Sequence, residues 1–133
     1  MDIYTRLAKV FKGDIDTKSE TLDFYSHDAS LFELKPEVVV FPKDAPDIAA
    51  LVKFVKEHKK NHSELSITPR SRGTDMSGGA IGESIVMDVS KYMTKLKKVT
   101  PTSAHVEPGM LYREFEPETL KQGSIMPLSL IHI

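Results

Sequence analysis

The chain has 133 residues, a formal net charge of −1 and a hydrophobic fraction of 40%, which is enough to build the core of one domain. Because the net charge is close to zero, composition gives no electrostatic reason to expect a nucleic acid or an acidic membrane as a partner. The absence of cysteine excludes disulfides, thiolate catalysis and cysteine–metal sites. No apolar run approaches the roughly 20 residues of a transmembrane segment, and the first residues lack the apolar region of a signal peptide, so we expect a cytoplasmic location.

The N-terminal part is predicted to hold little regular structure. Apolar residues recur at helical spacing in 2–12, which predicts a short helix with Asp2 as its cap and Gly13 as its end. Residues 14–34 are polar with scattered aromatic side chains, so we expect a loop with short turns. Within it, the run Tyr-Ser-His-Asp-Ala-Ser at 25–30 predicts a turn in which Ser and Asp side chains bond to nearby backbone.

A strand, a helix and a second strand follow. Residues 36–42 are a β-branched run bounded by prolines, which indicates a buried strand. Asp44 has the residue type of an N-cap and precedes an amphipathic helix. Residues 65–68 predict the next strand, so the three elements form a βαβ unit with a right-handed crossover. The apolar stripe of the helix consists of Ile48, Leu51, Val52, Phe54 and Val55.

The C-terminal part predicts a strand, a hairpin and a helix. The strand covers 84–89, and weak alternation in 97–100 and 105–107 indicates the hairpin. Residues 111–122 have helical spacing interrupted by Pro117, so they form either two short helices or one helix that kinks there.

The stretch between the second and third predicted strands carries the chemistry. Residues 68–80 read Thr-Pro-Arg-Ser-Arg-Gly-Thr-Asp-Met-Ser-Gly-Gly-Ala and hold three of the seven glycines and two arginines. Glycine lets an anion approach the backbone closely, free N–H groups converge on it, and arginine neutralises its charge. The stretch therefore predicts a loop that holds the pyrophosphate of a nucleotide cofactor. The alternative is a polar connection that needs glycine for positive φ.

Two common phosphate motifs are excluded by the residues after the glycines. A P-loop needs Lys and then Ser or Thr, whereas Gly79 is followed by Ala80 and Ile81. A Rossmann fingerprint leads into a helix, whereas residues 83–88 read as a strand. The anion would thus lie on a strand–loop–strand nest, at the C-terminal end of a strand, where open α/β sheets bind ligands.

The ordered set of motifs resembles the N-terminal part of the FAD-linked oxidase and dehydrogenase family. The set consists of the 25–30 run, the βαβ unit, Arg-Ser-Arg-Gly-Thr at 70–74, Ser-Gly-Gly at 77–79 and Glu-Pro-Gly at 107–109. Vanillyl-alcohol oxidase, p-cresol methylhydroxylase, D-lactate dehydrogenase and the glycolate oxidase flavin subunit share this flavin fold.

The resemblance implies an α+β fold of the p-cresol methylhydroxylase type and an incomplete FAD-binding domain over 1–127. Its parts would be an N-terminal helix and loop at 1–34, a βαβ subdomain with the pyrophosphate loop at 35–83, and the start of a second subdomain at 84–127.

The resemblance also implies which residues hold FAD. One departure is that Ser71 and Arg72 stand where many relatives have glycine, so the arginine either adds charge near the phosphates or points to solvent. Some relatives attach flavin through a histidine at the position of Thr74, so we expect non-covalent FAD here. The residues expected to contact the cofactor lie in the loop and in the later turn: Pro69, Arg70, Ser71, Arg72, Gly73, Thr74, Ser77, Gly78, Gly79, Pro108 and Gly109.

The function implied is that of a flavin-dependent oxidoreductase that oxidises a small 2-hydroxy acid or an alcohol. In the family, the groups that touch the substrate lie in later parts of the protein, so no catalytic residue is predicted here and the electron acceptor is left open. One alternative is a flavoenzyme like UDP-N-acetylenolpyruvoylglucosamine reductase, which uses NADPH. Another is a non-catalytic nucleotide-binding module. We predict no metal site, since His58 and His62 lack further ligands.

The last six residues, 128–133, do not fit the family's pattern. Their sequence Leu-Ser-Leu-Ile-His-Ile is also the translation of CTG TCT CTT ATA CAC ATC, a transposon-end adapter used in sequencing libraries. We therefore expect a non-native tail there. The alternative is a genuine apolar C-terminus.

Overall fold

A four-stranded sheet flanked by helices forms the larger part of the structure, a computed structural model that describes residues 3–126. The predicted Asp2 cap and the predicted tail at 128–133 lie outside these residues. The elements in chain order are α1 (Ile3–Leu7), β1 (Asp14–Asp16), α2 (Ser19–Tyr25), β2 (Val38–Phe41), α3 (Ala45–His58), β3 (Ile67–Arg70), β4 (Ile85–Asp88), β5 (Leu96–Val99), β6 (Ala104–Val106) and α4 (Tyr112–Leu120).

The sheet has the strand order β1-β2-β4-β3. β4 is parallel to both β2 and β3, and β1 pairs with β2 in the antiparallel direction. Because β2, β3 and β4 point the same way, their C-terminal ends meet at one edge. The loop that follows β3 starts at that edge.

Alternating side chains of the central strands fill two cores. Val38 and Val40 of β2 face α1 and α3, and they pack with Leu51 among the buried residues of that side. Val39 of β2 faces the other way and packs with Tyr25 of α2. All four residues of β2 and all four of β4 are buried, which is typical of parallel strands covered on both faces. The sheet is thus a layer between helices.

The predicted helix after β2 is confirmed as α3. Asp44 adopts an extended conformation, and its carboxylate accepts a hydrogen bond from the Asp47 N–H at 2.9 Å, as an N-cap does. Four members of the predicted stripe face the sheet side, but Val52 is 51% exposed. The stripe is therefore one residue narrower than its sequence suggests.

The prediction of a loop over 14–34 was wrong, because this segment contains β1 and α2. Only Ile15 of β1 is apolar, and β1 is held by pairing with β2 at the edge of the sheet. α2 contributes Leu22 and Tyr25 to the core, one turn apart. Elements this short have no detectable period of their own, so a distant partner decides that they form. The helix predicted over 2–12 is also shorter than expected and ends at Leu7.

The second predicted strand lies further along the chain than expected. β3 runs over Ile67–Arg70, so Pro69 and Arg70 belong to the strand and not to the loop. β3 is an edge strand, where a proline removes no bond from the ladder. The division predicted after residue 83 also differs from the structure, since β4 lies between β2 and β3 in the same sheet.

The remaining elements form a smaller unit. β5 and β6 pair as the predicted antiparallel hairpin, with an irregularity between Leu96 and Lys98. α4 is one helix with Pro117 inside it, and Gly123 follows it at φ +72°. The α+β class is therefore confirmed, with a mixed sheet and a separate hairpin.

We expect Leu51→Ala to lower the free energy of unfolding by about 2–5 kcal/mol, because it leaves a cavity in the core between α3 and the sheet. Leu51 has no exposed surface. Val52→Ala on the same helix is the matched control and should stay within about 0.5 kcal/mol of the unmodified chain. Chemical denaturation followed by circular dichroism measures both, and equal losses would contradict the assignment of the buried face.

Candidate functional site

The predicted anion loop connects two parallel neighbours without a helix. β3 ends at Arg70 and β4 begins at Ile85, so residues 71–84 return from the C-terminal edge of the sheet to the opposite edge. The return passes close to β3, where a Cβ on Gly82 would lie 2.3 Å from the Thr68 hydroxyl oxygen. This close approach requires glycine.

The Arg70 side chain fixes the start of the loop. It is only 7% exposed, and its Nη1 donates to the His27 carbonyl oxygen at 2.6 Å and to the Ala80 carbonyl oxygen at 3.4 Å. Its guanidinium carbon lies 5.0 Å from the centre of the Tyr25 ring. Arg70 therefore joins the N-terminal segment, the end of β3 and the far side of the loop. Its guanidinium is therefore occupied by contacts within the protein.

The segment after α2 supports the loop from outside. The Asp28 carboxylate accepts a hydrogen bond from the Ala80 N–H at 3.4 Å and one from the Ser30 N–H at 2.8 Å. The hydrogen bonds from Ser30, together with the one from Ala80, hold the pKa of Asp28 below its usual value. The Phe32 ring lies against Gly78, where a Cβ would be 3.0 Å from it. The turn predicted at 25–30 is thus part of the candidate site.

Two loop glycines adopt a conformation that side chains rarely adopt. Gly73 has φ +64° and Gly78 has φ +85°. A Cβ on Gly73 would also lie 2.3 Å from Nη2 of Arg70, so the buried guanidinium fills the space beside this glycine. Both the backbone and the packing therefore require glycine at 73.

The tip of the loop forms a nest of N–H groups around the Asp75 carboxylate. Asp75 Oδ1 accepts from the Ser77 N–H at 2.7 Å, the Ser77 hydroxyl at 2.8 Å and the Gly79 N–H at 3.1 Å. The bond from Gly79, and then those from Ser77, lower the pKa of Asp75. Three of the residues predicted to contact the cofactor, Ser77, Gly78 and Gly79, thus surround an internal anion.

The structure brings the later turn to the same edge of the sheet. Gly109 is buried, its N–H donates to the Met93 carbonyl oxygen at 2.8 Å, and a Cβ on it would lie 2.2 Å from the Val89 carbonyl oxygen. The Val89 N–H in turn donates to the Arg70 carbonyl oxygen at 3.0 Å. The Pro108–Gly109 turn therefore contacts Val89, and Val89 is hydrogen-bonded to Arg70 at the start of the loop.

A cavity of about 300 Å³ opens where β2, β3 and β4 end. At its buried side the Tyr25 hydroxyl donates to the Asp88 carboxylate at 2.5 Å, and the Ser90 N–H donates to the same group. Burial, and then the bond to Asp88, raise the pKa of Tyr25 well above its ordinary value. Aromatic, hydroxyl and charged groups line the cavity: Phe24, Tyr25, Phe41, Arg70, Ser71, Arg72, Asp88, Ser90 and Lys91.

The two arginines of the loop have different surroundings. Arg70 is buried, whereas Arg72 is exposed and makes no ion pair or hydrogen bond within residues 3–126. Thr74 and Pro69 are also exposed, and Ser71 is half-buried. Arg72 is exposed and also lines the cavity.

Several residues of the site were not predicted to belong to it, among them Tyr25, His27, Asp28, Asp75 and Asp88. The polar run at 25–30 was visible, but its contact with the loop depends on a strand and a helix between them. Asp75 lies inside the loop motif, and an acidic residue two positions before Ser77 was a signal for an Asx-type turn.

Neither a metal cluster nor a membrane-spanning helix is found in the part of the chain that the structure describes. Residues 3–126 contain no group of three or more His, Cys, Asp or Glu side chains arranged for a metal ion. Among the same residues no helix is long and apolar enough to cross a bilayer.

We expect Tyr25→Phe to lower the free energy of unfolding by about 1.5–3 kcal/mol, because the buried Asp88 carboxylate loses a hydrogen bond. The pKa of Tyr25 is raised on folding, so the stability it contributes is complete below about pH 10 and is lost as the pH rises further. Denaturation at pH 8 and above pH 10 should therefore show a steeper alkaline loss in the unmodified chain than in the variant. Parallel pH profiles would contradict this assignment.

Comparison of the sequence with protein families gives one match that covers most of the chain. The sequence profile described as FAD binding domain matches residues 36–132. The matched range includes β2, the whole loop and the Pro108–Gly109 turn.

Curated relatives are dehydrogenases by name. D-2-hydroxyglutarate dehydrogenase of Escherichia coli is 31% identical over 103 residues, which are 76% of this chain and 10% of that protein. Mitochondrial D-lactate dehydrogenase (cytochrome) of Kluyveromyces lactis is 32% identical over 91 residues, which are 65% of this chain and 15% of that protein. The chain thus spans only a small part of these relatives.

Solved structures share the fold. An alkyldihydroxyacetonephosphate synthase superposes with a TM-score of 0.72 at 21% identity, over 91% of this chain and 25% of that one. p-Cresol methylhydroxylase with substrate bound gives a TM-score of 0.69 at 19% identity, again over 91% of this chain and 25% of that one. The expected resemblance to the p-cresol methylhydroxylase type of fold is confirmed.

Proposed function

We propose, since this chain belongs to the FAD binding domain family, that it supplies the pyrophosphate-binding part of the FAD site in a longer flavin-dependent oxidoreductase. The observation that supports this proposal is the glycine loop at the C-terminal edge of the sheet. Two of its glycines have positive φ, and the buried Arg70 side chain fixes the position of its first residues. A loop of this kind is preorganised to present N–H groups to an anion.

The residues present fit a pyrophosphate group. Gly78 and Gly79 have no side chain to block an approach to the backbone, and the free Arg72 cation lies in the same loop. The backbone of residues 70–74 is proposed to contact the phosphates, with the exposed Thr74 hydroxyl as a further donor. Arg70 acts through its side chain as a positioning residue only, because its guanidinium is bound to backbone carbonyls.

The remaining part of the proposed site is the turn at Pro108–Gly109. Its contact with Val89 places it beside the end of β4, and the Val89 N–H links it to Arg70. We propose that this turn lines the adenosine side of the cofactor. The cofactor would then extend along the C-terminal edge of the sheet from the loop to the turn.

We propose that the substrate is a small 2-hydroxy acid. The support is that the relatives named above are dehydrogenases of D-2-hydroxyglutarate and D-lactate. When bound, FAD supplies the acceptor for a hydride from the substrate carbon. The residues of this chain bind and orient that cofactor, and none of them is assigned to the substrate.

We expect Gly73→Ala to weaken FAD binding by about tenfold or more, because a residue with a Cβ is strained by about 1–3 kcal/mol at positive φ and here would also displace the Arg70 guanidinium. Gly123→Ala is the matched control, since Gly123 has φ +72° with no atom within 4 Å of its Cβ position. Fluorescence titration of the full-length protein with FAD measures both. Equal affinities in all three proteins would contradict the proposed site.

The same preparation tests whether the flavin is covalently attached. With Thr74 at the position where some relatives have histidine, acid precipitation should leave the flavin in the supernatant. Yellow colour in the washed precipitate would show a covalent bond and contradict the proposal of dissociable FAD.

The substrate proposal predicts that D-lactate or D-2-hydroxyglutarate bleaches the flavin absorbance of the full-length protein when oxygen is excluded. The L-enantiomers are the matched controls and should leave the spectrum unchanged. Bleaching by NADPH and not by either hydroxy acid would support the reductase alternative. FAD binding without bleaching by any of these would indicate another substrate class.

A further inference from the structure

The nest at the tip of the loop already has an anion. The Asp75 carboxylate accepts hydrogen bonds from the Ser77 N–H, the Ser77 hydroxyl and the Gly79 N–H at 2.7, 2.8 and 3.1 Å. These donors, two N–H groups and one hydroxyl, belong to the Ser-Gly-Gly segment that was predicted to bind the cofactor. A donor aimed at Asp75 is not free for a phosphate oxygen.

We propose that Asp75 competes with the cofactor pyrophosphate for the N–H groups of 77–79. Asp75 must release these groups before the pyrophosphate can bind to them, and it thereby sets the affinity of the site for phosphate-bearing ligands. This inference rests on the proposed FAD function of the same loop. It adds a specificity-determining residue that has no counterpart among the predicted contacts.

The contacts of Asp75 make the exchange feasible. Asp75 and Ser77 are exposed, so the carboxylate can rotate into water without crossing packed side chains. Within residues 3–126 no lysine or arginine forms an ion pair with Asp75, so hydrogen bonds from the nest are its specific contacts. Water can replace those bonds at the surface. A pyrophosphate that takes them gains charge-assisted bonds of the same kind.

The charge of Asp75 acts throughout the neutral range. The N–H and hydroxyl bonds from Gly79 and Ser77 hold its pKa below the ordinary value, so the carboxylate is ionised at neutral pH. A carboxylate that stays near the nest also repels a bound pyrophosphate, because like charges a few ångströms apart destabilise each other. Both effects, competition for donors and repulsion, act in the same direction. They lower the affinity of the site for ligands that carry phosphate and do not change its affinity for ligands without phosphate.

The test compares ligands with and without phosphate on the full-length protein. Asp75→Asn keeps the shape of the side chain and removes its charge, and Asp75→Ser removes the charge and shortens the side chain. Both variants should bind FAD and ADP about tenfold more tightly, whereas the affinity for riboflavin should be unchanged. Glu57→Gln, an exposed carboxylate on α3 that pairs with Lys53, is the charge-matched control and should change none of these affinities.

The sign of the change decides between this role and a structural one. Weaker FAD binding in both variants would mean that Asp75 orders the loop for the cofactor, and unchanged binding would mean that it does not reach the phosphate position; either result overturns the inference alone. An equal gain for FAD and riboflavin would also overturn it. If the unmodified protein and both variants bind neither FAD nor ADP, the proposed function fails, and this inference with it.

Discussion

The buried guanidinium of Arg70 is the contact on which the candidate site depends. It is enclosed by the Tyr25 ring, the His27 carbonyl and the Ala80 carbonyl, so the segment after α2 and the far side of the loop both meet the end of β3 at one side chain. Guanidinium has several donors in a fixed plane, which lets one residue satisfy two carbonyls and stack on a ring. A lysine at 70 would lack this planar set of donors. The Arg70 contacts therefore fix the position of the first residues of the loop.

The base and the tip of the loop are stabilised in different ways. At the base, buried groups bond to one another, including the Tyr25 hydroxyl and the Asp88 carboxylate at 2.5 Å. Leaving such groups unpaired is costly in a low-dielectric interior, so this layer has one arrangement. At the tip, Asp75 bonds to exposed N–H groups that water can also satisfy. The loop thus combines a fixed start with an exposed tip whose hydrogen bonds can be exchanged with water.

The agreement between sequence and structure follows the strength of the local pattern in each element. α3 has fourteen residues, an N-cap and an apolar stripe, and β2 is a continuous apolar run, so both were predicted from local pattern. β1 and α2 have three and seven residues, and both were missed. A short edge strand gains its hydrogen bonds from its neighbour, and a two-turn helix gains its stability from packing on the sheet. Neither the strand pairing nor the helix packing can be recognised from the sequence of the segment itself.

The need for glycine in the loop was evident from local chemistry, because glycine tolerates positive φ and a close approach of the backbone. Its glycines at 73 and 78 do adopt positive φ. Which arginine is available to a ligand was not evident, since Arg70 and Arg72 have the same chemistry. Arg70 is buried through contacts that include a carbonyl 43 residues away in sequence, whereas the exposed Asp75 bonds to N–H groups only two and four residues away. Residue type determines what a group can do, whereas burial and partners depend on distant segments that meet only in the folded chain.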